Sequence, residues 1–189
     1  IGTDVLSKSV DWSDRNTCVL FGDGAGAMVL KMNIKGRNLL SFDWGTDGSG
    51  VDLLKIPAGG SRSPILSSNL NQRQQYLKMD GKKVYKHATD MMYHSVLRAL
   101  NQAQLKKNNI DLLIPHQANI RILKTVAKKL SLPQDKIMIN LDKYGNTAAA
   151  SIPIALDEAI VQGKIQSGDI VVLTAFGAGL TWGSIILCW

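Results

Sequence analysis

Asp111-Leu112-Leu113-Ile114-Pro115-His116-Gln117-Ala118-Asn119 decides how this chain folds. A short apolar run ends at a proline and a histidine, and an asparagine follows where a helix would begin. Residues 111–114 suit a strand buried on both faces. Residues 119–130 carry Ile122, Leu123, Val126 and Leu130 at helical spacing, with Asn119 as cap or substrate contact. Thirty residues after His116, Tyr144-Gly145-Asn146-Thr147-Ala148-Ala149-Ala150-Ser151 puts Asn146 at an equivalent place, between an apolar run and a helix. Gly145 permits an unusual backbone angle just before it. Such positions aim polar side chains out of the end of a sheet, where α/β proteins keep their chemistry.

Working outward, residues 137–141 suggest a second strand, and residues 152–162 a helix with Pro153 early, where a missing N–H costs nothing. Residues 170–176 and 181–188 suggest closing strands around Gly177-Ala178-Gly179. Upstream, residues 82–104 form the longest helical candidate, with Val84, Ala88, Met91 and Ser95 on one stripe and Met92 and Leu100 near it. Residues 39–44 and 52–56 suggest strands on either side of a glycine-rich turn. Residues 58–75 are polar and suggest a long loop. Residues 19–21 and 27–32 suggest strands flanking Gly22-Asp23-Gly24-Ala25-Gly26. Strands alternating with helices through short joins predict a layered α/β fold with a mainly parallel sheet.

The 189 residues suffice for one sizeable core or two small ones, and 45% hydrophobic with 20% charged residues is a globular balance. No apolar run approaches the roughly 20 residues of a membrane span. The start at Ile1-Gly2-Thr3-Asp4 reads as the interior of a longer protein. Cys18 and Cys188 lie in apolar, strand-like runs, which predicts inert buried thiols in a reducing compartment. The net charge of +7 predicts an acidic partner. Nucleic acid is the weaker candidate, since no zinc-finger spacing occurs and the sparse aromatics are not interleaved with the basic clusters.

Gly22-Asp23-Gly24-Ala25-Gly26-Ala27 nominally fits a dinucleotide fingerprint. The next residues, Met28-Val29-Leu30-Lys31, are strand-like, whereas the fingerprint must open a helix, so nucleotide binding is rejected. A lone histidine after a strand is usually structural. Here His116 and Asn146 form a convergent pair of donors, which suits an enolate or thioester oxyanion better than a metal. His87 and His94 read as structural. Arg121, Lys124 and Lys128 share one face of the 119–130 helix, with Lys129 alongside. That stripe is either a solvated face or a docking patch beside the site.

Taken together, these segments resemble the C-terminal portion of β-ketoacyl-acyl-carrier-protein synthase III, the initiating condensing enzyme of type II fatty acid synthesis. The matching stretches are Asp14-Arg15-Asn16-Thr17, Phe21-Gly22-Asp23-Gly24-Ala25-Gly26-Ala27, Pro115-His116-Gln117-Ala118-Asn119 with Arg121-Ile122, Gly145-Asn146-Thr147, and Ala175-Phe176-Gly177-Ala178-Gly179-Leu180-Thr181-Trp182-Gly183-Ser184. The resemblance implies a thiolase-like layered αβαβα fold. Residues 1–35 would end the first half and residues 36–189 would form the second. It implies decarboxylative condensation of acetyl-CoA, or another short acyl-CoA, with malonyl-acyl carrier protein.

By this resemblance His116, Asn146 and Phe176 are catalytic, and Arg15, Gly81, Tyr85, Asn119 and Ala178 line the substrate path. Lys86, Arg121, Lys124, Lys128 and Lys129 would dock the carrier protein. Tyr85 stands where the family commonly has Phe, and Ala178 where it commonly has Gly. The implied partners are acyl carrier protein, coenzyme A thioesters and a second copy in a homodimer, with no nucleic acid and no membrane. Both thioesters are substrates, and no cofactor is implied. The implied location is cytoplasmic, or plastid stroma, since the stretch from Val10 to Arg15 resembles cyanobacterial and plastid members. Neither Cys18 nor Cys188 matches the family's nucleophile, which belongs to the front of the first half. The alternatives are a non-catalytic module that binds carrier protein or coenzyme A, and a polyketide starter synthase. The chain alone is expected to be inactive and prone to self-association.

Overall fold

The computed structural model describes residues 1–32 and 38–189. The domain boundary expected at 35/36 lies outside the described residues. In chain order the strands are β1 (Gly2–Asp4), β2 (Gly24–Gly26), β3 (Asn38–Thr46), β4 (Leu54–Lys55), β5 (Lys78–Met79), β6 (Leu112–Pro115), β7 (Ile170–Gly177) and β8 (Thr181–Cys188). The helices are α1 (Ser67–Asn71), α2 (Gly81–Gln102), α3 (Ile120–Leu130), α4 (Leu141–Tyr144) and α5 (Ser151–Val161).

One sheet, in the order β3-β8-β7-β6, organises the molecule. Its pairing differs from the mainly parallel expectation. Only β6 and β7 form a parallel ladder, while β8 runs antiparallel to both β7 and β3. The reason is local: Ala178, Gly179 and Leu180 fold β7 straight back onto β8 as a hairpin, so no helical crossover separates them.

Alternation along the strands distributes the core. Val172 and Phe176 of β7 face α2 and α3, packing with Leu113, Val96, Leu123 and Val126. Val171 and Leu173 face α5, packing with Leu112, Ile114, Ala155 and Ala159. All four residues of β6 are buried, which explains its uninterrupted apolar reading. The buried stripe of α2 passes through Met92 rather than Met91, since Val84, Ala88, Met92, Val96 and Ala99 follow the helical repeat more closely. Edge strand β3 is inverted. Ser41 donates to the Ala99 carbonyl at 2.6 Å and Asp43 pairs with Arg98 beneath the sheet, while Leu40, Phe42 and Trp44 are exposed on the other face.

Several expected strands are different structures. Residues 17–20 are turns closed on Asp14, whose carbonyl accepts the Thr17 and Cys18 N–H groups. Residues 27–32 have no regular structure. The strand is instead the glycine stretch, pairing antiparallel with β1. Its glycines are needed because the ribbon lies directly on the approach to α5. A Cβ on Gly2 would stand 2.2 Å from the Ala149 carbonyl oxygen, and one on Gly26 2.5 Å from Pro153. Of residues 52–56 only β4 pairs, because Asp47 caps a 3₁₀ turn over Gly48–Leu53. The strand expected over 137–141 shrinks to one parallel bridge between Leu113 and Ile137. It stops there because the Asn140 N–H goes to the Gln117 side chain, and α4 begins at Leu141. Within the 58–75 loop lies only the short α1. Both cysteines are free and half-buried, and Cys18 lies in a turn rather than the buried strand expected.

Candidate active site

The carboxyl ends of parallel strands β6 and β7 carry the site, as the fold class requires. Pro115 ends β6, and the His116 N–H donates to the Thr174 carbonyl of β7 at 2.7 Å. This bond carries the ladder one residue further and fixes the histidine backbone. Phe176 and Gly177 end β7, and Ala178 begins the turn. Asn146 arrives from another direction. Gly145 adopts φ +68°, which releases the chain from α4. The Asn146 N–H then donates to the Leu20 carbonyl, and its own carbonyl accepts the Gly22 N–H, both at 2.9 Å.

His116, Asn146 and Phe176 line one cleft of about 1300 Å³. Among the described residues neither ring nitrogen of His116 has a hydrogen-bond partner, and part of the ring opens on the cleft. Burial lowers its pKa to about 4, so the imidazole is neutral at pH 7 and presents one N–H and one bare nitrogen. The Asn146 side-chain oxygen accepts the Ala148 N–H at 2.9 Å. That bond occupies the acceptor end and leaves the NH₂ end facing the cleft. The chemistry available is a neutral N–H donor from each of two residues that line the same cleft.

Other expected site residues take distinct places. Gly81, Tyr85, Asn119 and Ala178 line the cleft, and the Tyr85 hydroxyl is 2.8 Å from Thr125 Oγ1 of α3. Asn119 is the α3 cap, its side chain accepting the Arg121 N–H at 2.8 Å. Arg15 is exposed and does not line the cleft, though its neighbours Asp14 and Asn16 do. Lys86, Arg121, Lys124 and Lys128 are exposed, and Arg121 also reaches the cleft wall. Lys129 departs from the cationic stripe: it is ion-paired with Asp90 of α2 and lies over the Tyr93 ring. The stripe reads as unneutralised in the sequence because Asp90 is distant in the chain.

Leu77, Lys78 and Met79 also line the cleft. Beside them Asp11 is buried beneath Arg73, Ser13 and Lys78, and the hydrogen bonds from Arg73 and Ser13 hold its carboxyl well below the usual carboxylate range. No motif announces Asp11, because its partners come from the loop. A smaller recess of about 330 Å³ shares His116, Phe176, Gly177 and Ala148 with the cleft. Neither cysteine lines either cavity.

Two family models match: 3-oxoacyl-[acyl-carrier-protein (ACP)] synthase III over residues 1–48, and the C-terminal model of the same synthase over residues 100–189. The chain is 49% identical, over its whole length, to a beta-ketoacyl-[acyl-carrier-protein] synthase III of Caldanaerobacter subterraneus, of which it covers 57%. The crystal structure of 3-oxoacyl-[acyl-carrier-protein] synthase III from Aquifex aeolicus superposes with TM-score 0.86 at 42% identity, over 97% of this chain and 55% of that one. The priming beta-ketosynthase of the R1128 polyketide pathway superposes with TM-score 0.79 at 26% identity, over 98% and 55% respectively. The chain belongs to the 3-oxoacyl-[acyl-carrier-protein] synthase III family, matching the C-terminal portion of its members, and has their thiolase-like fold. It spans a little over half the length of the curated relatives it matches.

Proposed function

We propose that this chain supplies the decarboxylating half of a synthase that condenses a short acyl-CoA, such as acetyl-CoA, with malonyl-acyl carrier protein. The observation that carries the reading is the pair of free N–H donors, on His116 and Asn146, facing one cleft at the ends of the sheet. Both donate to the malonyl thioester oxygen. As the carboxylate leaves as CO₂, the electrons of the broken C–C bond flow into the thioester and form an enolate. The two donors hold its oxygen. The enolate carbon then attacks the acyl group on a cysteine of the first half, and the cysteine thiolate departs. The Ala178 backbone N–H serves the oxyanion of that step.

Phe176 walls the malonyl carboxylate away from water and favours its loss. Gly81, Tyr85 and Asn119 form the pantetheine path, with Arg15 at its outer end. Lys86, Arg121, Lys124 and Lys128 receive the acidic carrier protein, with Lys129 contributing least because Asp90 neutralises it. The reaction draws on no cofactor, and its two thioesters are substrates. The chain alone is inactive in this reading, since neither of its cysteines lines either cavity. The same observation favours a second reading, a module that binds carrier protein without reacting. Likeness to a polyketide priming synthase supports a third, with the same chemistry and another starter.

The test is malonyl decarboxylation by the full-length protein carrying His116→Ala or Asn146→Ala. Each loss is expected to be about 10²–10³-fold. Decarboxylation at the unsubstituted rate in either variant overturns the roles assigned.

A further inference from the structure

Gln117 is 1% exposed and does not line the cleft. Its Nε2 donates to the Pro115 carbonyl at 2.8 Å and to the Met138 carbonyl at 3.1 Å. Its Oε1 accepts the Asn140 N–H at 3.0 Å, and its backbone N–H donates to Ser151 Oγ at 2.6 Å. The next link is Asn140, itself 2% exposed, whose Nδ2 donates to Glu158 Oε2 at 3.2 Å. Glu158 Oε1 in turn accepts from the Tyr144 hydroxyl at 2.7 Å and from Lys143 at 3.1 Å. One connected network therefore starts at the two chain neighbours of His116 and ends at Tyr144, two residues before Asn146. It crosses the end of β6, the 137–140 segment, α4 and α5.

We infer that Gln117 is a positioning residue whose amide fixes the placement of His116 relative to Asn146. The inference rests on the decarboxylating role proposed for that pair. Two donors stabilise one oxygen only when both reach it together, and a misplacement of 1 Å costs on the order of 10²-fold. A buried amide with every group used holds its partners to one spacing, since each bond lost would leave a buried polar group unpaired. No side chain other than an amide offers both the two donors and the one acceptor used here.

The experiment uses the full-length protein with Gln117→Met, Gln117→Glu and Glu158→Gln. Malonyl decarboxylation, acyl transfer from acyl-CoA, and thermal melting are all measured. Gln117→Met is expected to slow decarboxylation by about 10–100-fold while acyl transfer changes by less than about threefold. Gln117→Glu sets a carboxylate against two carbonyl oxygens, which raises its pKa. Its decarboxylation is therefore expected to recover as pH falls, when protonation restores one donor, and unsubstituted protein shows no such recovery. Should Gln117→Met fail to fold, Glu158→Gln, at the partly buried far end of the network, is read by the same ratio of the two half-reactions.

Equal loss of both half-reactions, or loss of neither, overturns the positioning role. Unsubstituted protein that does not decarboxylate malonyl-acyl carrier protein overturns the functional reading beneath it. Normal unsubstituted activity with unchanged variants overturns only the role of Gln117.

Discussion

Asn146 has an acceptor end tied to the Ala148 N–H and a donor end free in the cleft, so its value lies in orientation rather than size. Asn146→Asp keeps the size and loses the donor. It is expected to slow decarboxylation as much as Asn146→Ala does, because a carboxylate repels an enolate oxygen. A rate near that of the unsubstituted protein would mean that shape alone matters. His116 is neutral because burial lowers its pKa from 6.5 to about 4. Decarboxylation should therefore show no acid limb near pH 6.5, and a limb there would assign the work to a more ordinary histidine. Linkage has the same sign. Between these two values the unfolded chain binds more protons, so His116 leaves stability intact above pH 6.5 and erodes it as pH falls toward 4. Unfolding free energies of His116→Gln are expected to decline less over that window. That His116 and Asn146 meet at one cleft was legible in the sequence, because their position in successive strand–helix units places them there. The neutral state of His116 and the network on Gln117 were not, since both depend on burial and on partners remote in the chain.

At the scale of elements, α3 combines the core and the surface. Ile122, Leu123, Val126 and Leu130 are buried, and Leu123→Ala is expected to cost about 3 kcal/mol, measurable by denaturant unfolding of the full-length protein. Its outer face separates the cations by their partners. Arg121→Glu and Lys124→Glu are expected to raise KM for malonyl-acyl carrier protein by about tenfold at low salt, an effect that fades as salt screens it. Lys129→Ala should raise KM by less than about twofold, because Asp90 already neutralises Lys129. Equal effects at all three positions would refute this ordering. Helices α2, α3 and α5 were readable from their 3.6-residue period, and β6, β7 and β8 from short apolar runs. At residues 19–20 and 52–53, expected as strands, an aspartate closes a turn that hydropathy does not register, whereas residues 24–26, expected as a turn, are a strand of small residues whose glycines fit against the approach to α5.

The whole molecule presents an asymmetry: α2 and α3 cover one face of the sheet, while on the other α5 leaves Leu40, Phe42 and Trp44 of β3 uncovered. These apolar side chains lie outward where a solvated strand would carry polar ones. The 189-residue chain prepared alone is therefore expected to self-associate, with Phe42→Ser and Trp44→Ser reducing it; a monomeric chain by light scattering would contradict this. Condensation, in this account, is divided between two halves, with the nucleophile in one and the decarboxylating donors in this chain. The most direct test is the intact mass of full-length Asn146→Ala after incubation with acetyl-CoA and malonyl-acyl carrier protein. The acetylated enzyme is expected to accumulate while CO₂ release falls by about 10²–10³-fold. An unacylated enzyme, or CO₂ released at the unsubstituted rate, would contradict this.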